Sequence, residues 1–104
     1  MEKRKPSHDL EAFKRVCGDA ERLEMTAIAA RNAQQLGFAT ADVARLIRTM
    51  DRRMFYKSMT SNADHRRWQD VYHVPVDRDL TIYLKFTDGT VTEFLVLSFK
   101  ERGE

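Results

Sequence analysis

Hydrophobic positions along this chain follow two rhythms, and the change falls near Met54. Before it, apolar residues recur at the spacing of one helix face. Leu10, Phe13, Val16 and Cys17 outline a first helix, with Ser7 able to cap it, Asp9 in its first turn and Gly18 just past its end. A second helix is predicted to start at Thr26, run through the alanine-rich segment holding Ile28 and Leu36, and stop at Gly37. Thr40 can cap a third, which places Val43, Leu46, Ile47 and Met50 on one face and Arg45, Arg48 and Arg52 elsewhere.

From Met54 onward the period moves towards two, and β-branched and aromatic residues become frequent. Met54 to Met59 reads as a short strand, Thr60 to Arg67 as a polar loop, and Trp68 to Val74 as a second strand that Pro75 ends. Thr81 to Thr87 and Val91 to Lys100 flank Asp88-Gly89, the strongest hairpin signal in the sequence. A two-residue turn there sets Lys85 opposite Thr92 and Leu84 opposite Glu93. A three-residue loop sets Lys85 opposite Glu93 and Leu84 opposite Phe94, and is preferred because opposite charges then pair and apolar residues share a face. Helices first and an antiparallel sheet after make the fold class α+β.

Composition narrows the function. The chain has 104 residues, which fits a single domain over 1–104 with no repeat or internal linker. Its one cysteine, Cys17, excludes an internal disulfide and any cysteine-rich metal site and agrees with a reducing cytoplasm. No signal peptide and no apolar run of membrane-spanning length is found, so a cytoplasmic protein without membrane contact is expected. Net charge is only +2, but the stretch from Arg45 to Arg67 carries +5 and the rest of the chain −3. Such a field attracts a polyanion, although an arginine-rich solvated surface reads the same way from charge alone.

Several chemistries lack their residues. His8, His65 and His73 show no ligand spacing, so neither a metal nor another cofactor is expected. No nucleophile elbow and no glycine-rich phosphate loop is present. What remains is chemistry that runs on cations and a proton donor. RNA can be cut without metal when its own 2′-hydroxyl attacks the adjacent phosphate, provided that the protein moves two protons and neutralises the charge growing on phosphorus. Strand alternation puts Lys57 with Met59 on one face, Gln69 with Val71 and His73 on another, and Tyr83 with Lys85 on a third. On pattern alone the plainer reading, solvated lysines and a half-buried tyrosine, is favoured.

A resemblance changes that weighting. Met1-Glu2-Lys3-Arg4, Tyr56-Lys57-Ser58-Met59-Thr60, Asp64-His65, Trp68-Gln69-Asp70-Val71-Tyr72, Ile82-Tyr83-Leu84-Lys85 and Ser98-Phe99-Lys100-Glu101 occur in one order along essentially the whole chain. In that order they resemble the MqsR (motility quorum-sensing regulator) toxin family of toxin-antitoxin systems. The resemblance implies a RelE-like fold, a small antiparallel sheet packed on helices, and an endoribonuclease that cuts messenger RNA at GCU-type sites. It also implies neutralisation by a zinc-containing, DNA-binding antitoxin of the MqsA kind, so that DNA is met only through that complex. By position, the family's active-site lysine falls on Lys57, its glutamine on Gln69, its tyrosine on Tyr83 and a further lysine on Lys100. Lys57 is expected to bind the scissile phosphate, Gln69 to position a phosphate or ribose oxygen, and Tyr83 to transfer a proton with its pKa lowered by nearby lysines. Lys85, His65, His73, Arg66 and Arg67 are further candidates for contact with RNA. The rival readings are a non-catalytic RNA-binding module and a degenerate subunit that only binds the antitoxin.

Overall fold

The structure, a computed structural model, describes residues 1–89 and 92–103. Helix α1 (Leu10–Cys17) forms where its apolar spacing predicts, but Asp9 caps it rather than Ser7. The Asp9 carboxylate accepts from the backbone N–H groups of Glu11 and Ala12, which have no partner inside the helix. Ser7 is held elsewhere, with its backbone N–H on the Asp70 carboxylate and its hydroxyl on that of Ser58. Helix α2 (Ala27–Gln35) begins one residue after the predicted start, Thr26, which caps it instead: its hydroxyl accepts from the Ala29 N–H. It ends at Gly37, whose φ of 88° is left-handed and open at little cost only to glycine. Helix α3 (Thr40–Arg48) takes Thr40 as its first residue; Ala39 holds the cap position, and Asp42 folds back to accept from its N–H.

A short 3-10 turn (Arg52–Met54) leads into the sheet. The strands are β1 (Glu2–Lys3), β2 (Phe55–Met59), β3 (Gln69–Pro75), β4 (Thr81–Asp88) and β5 (Phe94–Glu101), and they lie in that order across one antiparallel sheet. Residues paired across neighbouring strands point to the same face. Ser58, Asp70, Phe86 and Val96 form one inward row, and Phe55, Tyr72, Leu84 and Phe99 form the next. These inward rows meet Leu10, Phe13 and Val16 of α1, Ala29 and Ala33 of α2, and Val43, Leu46 and Ile47 of α3 in one buried cluster. Phe13 stacks on Phe86 with ring centres 3.7 Å apart, and Phe94 packs edge-on against both.

The hairpin between β4 and β5 follows neither predicted register. Asp88 pairs with Phe94, Lys85 with Ser98 and Leu84 with Phe99, so β5 begins later than expected. Val91, predicted as its first residue, lies outside the described residues. A bulge in β5 opposite Lys85 and Phe86 adds one residue and keeps Val96 and Phe99 facing the core. Burial of these side chains outweighs an exposed charge pair, and Glu93 pairs with Arg22 instead of Lys85. The outer edge of β5 is covered: Val96 donates to the Glu24 carbonyl and accepts from the Thr26 N–H, which seats α2 beside the strand. Among the described residues no helix is long and apolar enough to cross a membrane.

Candidate active site

The helices cover one face of the sheet, and the chemistry gathers on the other. There Lys57, Val71, Lys85 and Ser98 form a row across β2, β3, β4 and β5, and His73, Tyr83 and Lys100 form the row beside it. Gln69 pairs with Met59 on the same face. The three faces inferred separately from alternation are therefore one. Gln69 and His73 stand two residues to either side of Val71, so Gln69 lies about 13 Å along the strand direction from the row holding Tyr83.

Lys57 is not free. Its ammonium donates to the Glu2 carboxylate at 2.5 Å, a partner brought by β1, which sequence reading left unassigned. The hydrogen bond to Glu2 holds the Lys57 pKa above its usual value. Lys85 behaves oppositely: burial, with Lys100 and Lys57 as like charges close by, pushes its pKa down. Tyr83 corrects an expectation. Burial raises its phenol pKa, and the opposing pull of the Lys57 charge is the smaller effect. A phenol in this setting keeps its proton at neutral pH and suits donation. Burial, and then the Arg102 charge, lower the His73 pKa, which leaves its ring neutral at pH 7 and able to accept a proton.

The remaining candidates lie off this face. His65 and Arg66 are exposed on the loop between β2 and β3, and Arg67 pairs with Asp88 at the end of β4. The positive stretch from Arg45 to Arg67 does not form one patch. Arg45 sits on α3 paired with Asp42, Arg48 donates to the Gly18 carbonyl within the helical layer, and Arg53 pairs with Asp51. The cations beside the site come instead from distant parts of the chain: Arg4 lies 5.9 Å from the Tyr56 ring centre, and Lys100 lies 5.2 Å from that of Tyr83. Next to Lys100 the face opens into a cleft of about 340 Å³ between α2 and β5, lined by Asn32, Gln35, Leu36 and Glu101 as well.

Sequence reasoning missed two further features. Tyr56 stands beside Lys57 in sequence, and strict alternation would turn it away, but a bulge between Phe55 and Lys57 brings its ring onto His73 at 4.3 Å. Asp70, wholly buried, accepts from the N–H groups of Ser7 and His8 and from the Ser58 hydroxyl, and so ties the N-terminal segment to the sheet. Among the described residues no group of three or more His, Cys, Asp or Glu side chains is placed to hold a metal ion.

Comparison with known proteins places the whole chain in a family. The family model described as motility quorum-sensing regulator, toxin of MqsA, matches residues 5–101. The mRNA interferase toxin MqsR of Escherichia coli (strain K12) is 38% identical over 104 residues, covering 98% of this chain and 100% of that protein. Both matches run through all three helices and the four long strands that carry Lys57, Gln69, Tyr83 and Lys100, and the chain therefore belongs to the MqsR toxin family.

Proposed function

We propose that the protein is an mRNA endoribonuclease toxin that cuts at GCU-like sites through the RNA's own 2′-hydroxyl, with no metal, and so arrests translation in the cytoplasm. Its sheet on helices is a RelE-like arrangement, and its partner is a zinc-containing antitoxin of the MqsA type, through which alone it meets DNA. The observation that carries the reading is the cross-strand register, which gathers Lys57, Lys85 and Lys100 with Tyr83 and His73 on the face that the helices leave open.

In this scheme a phosphate displaces Glu2 from Lys57, and the lysine ammoniums stabilise the charge that develops on the phosphate oxygens. Neutral His73 takes the proton from the 2′-hydroxyl. The 2′-oxygen bonds to phosphorus, the bond from phosphorus to the 5′-oxygen breaks, and Tyr83 gives its proton to that leaving oxygen. The products are a 2′,3′-cyclic phosphate and a free 5′-hydroxyl. Gln69 binds the chain farther along through its amide, and Arg66, Arg67 and His65 guide the backbone from the neighbouring loop.

Mapping 5′ ends after brief incubation of RNA with the purified protein tests this. New 5′-hydroxyl ends should form in the presence of EDTA. Lys57→Ala should lower kcat by about 10²–10³-fold, and Tyr83→Phe by about 10²–10⁴-fold. RNA retained without new ends would instead establish a binding module, and loss of cutting on chelation would end the metal-free scheme.

A further inference from the structure

Tyr56 breaks the alternation of β2, and the break has a chemical result. Without the bulge between Phe55 and Lys57, its ring would lie on the opposite face from the Lys57 ammonium; with it, both lie on the open face. Tyr56 is 40% exposed and is the one aromatic ring among the exposed large apolar residues described. One side of it rests on His73, with ring centres 4.3 Å apart and planes 24° from parallel. Arg4 and Lys57 stand 5.9 and 5.4 Å from its centre. A flat, half-exposed ring braced on one side by His73, with two cationic side chains over it that a base can displace onto its phosphate, matches what a single-stranded nucleic acid requires: a π-surface for the base and positive charge for the phosphate.

We propose that Tyr56, braced by His73, is the platform on which one nucleobase of the RNA stacks, adjacent to the phosphate held by Lys57. This rests on the reading of the open face as the RNA site. The platform favours a purine, because a two-ring base covers more of the phenol than a one-ring base does.

The test uses an RNA blocked by 2′-O-methyl groups at every site of cleavage, with 2-aminopurine placed at one position after another. Stacking on an aromatic ring quenches this base, so the unaltered protein should quench it strongly at a single position. Tyr56→Ala should remove that quenching and weaken binding by about 5- to 150-fold. Tyr56→Leu, which keeps bulk without a flat ring, should do the same, and Tyr56→Phe should recover the quenching. An abasic nucleotide at the quenched position should weaken binding by the unaltered protein by a similar factor and add nothing in Tyr56→Ala. Quenching that persists in Tyr56→Ala and Tyr56→Leu, or losses that multiply between Tyr56→Ala and the abasic RNA, would overturn the platform. If the unaltered protein cuts RNA while Tyr56→Ala keeps its KM, the platform alone falls; if the unaltered protein neither binds nor cuts RNA, the nuclease reading falls with it.

Discussion

Lys57 shows how much of a residue's chemistry is set by a neighbour far away in sequence. Its ion pair with Glu2 joins β2 to β1 and competes with any phosphate that approaches. Glu2 is open to solvent, where water and salt weaken an ion pair, so its competition with a phosphate is mild. Glu2→Gln should let the Lys57 pKa fall back towards its usual value and tighten RNA binding by at most about fivefold at low salt. Fluorescence anisotropy across a salt series would read this, and weaker binding by Glu2→Gln would mean that Glu2 positions Lys57 instead of opposing phosphate. The two residues could not be matched from sequence, because a two-residue strand has too little pattern to be recognised.

At the scale of elements, the helix starts were legible in kind but displaced by a residue or two. Ser7 has the chemistry of a cap, and yet Asp9 takes that place because the Asp70 carboxylate claims the Ser7 and His8 N–H groups. Asp70 thereby fixes the route of the chain from β1 into α1, and with it the position of Glu2 and Arg4 beside the site. Asp70→Ala would leave these buried or half-buried donors and the Ser58 hydroxyl without their partner, at a cost of about 1–3 kcal/mol for each group left unsatisfied. The expected result is a clear drop in Tm, with faster hydrogen exchange at Ser7 and His8 before the core strands exchange. Unchanged exchange there would show that Asp70 does not hold the segment. The bulges in β2 and β5 were not legible, since an extra residue leaves local hydrophobic patterning nearly intact and is decided by which side chains the core accepts.

For the whole molecule, two layers divide the work. Burying one sheet face against three helices stabilises the fold and leaves the other face free to hold groups that folding alone would not favour. Lys85 and His73 carry the cost: both have pKa values lowered by burial, so the unfolded chain binds more protons than the folded one and stability rises with pH. For His73 the loss comes as pH falls through 6.5 towards its lower folded value, and for Lys85 the penalty is present at neutral pH and relieved as pH climbs towards 10.5. Lys85→Met should therefore raise Tm by a few degrees at pH 7 while weakening RNA binding, and equal Tm values would remove the claim of strain at this site. Activity should follow the same groups. Cutting is expected to fall on the acid side of the usual histidine value as His73, its pKa lowered by burial, gains a proton, and to fall again at alkaline pH as Lys85, its pKa pushed down, and then Tyr83, its pKa raised, lose theirs. His73→Gln should flatten the acid limb; an unaltered limb would assign proton uptake to another group.

The sequence by itself determined the three helices and the four longer strands, because the period of apolar residues is a local property that each of these segments carries alone. It also determined the family, through runs of residues that occur in one order from Met1 to Glu101. Only the tertiary structure decided that Lys57, Gln69, His73, Tyr83, Lys85 and Lys100 share one face, that Tyr56 joins them, and that burial raises the Tyr83 pKa against the pull of Lys57. Strand register, bulges and desolvation depend on which distant residues meet, and no pattern along one strand records its neighbour across the sheet.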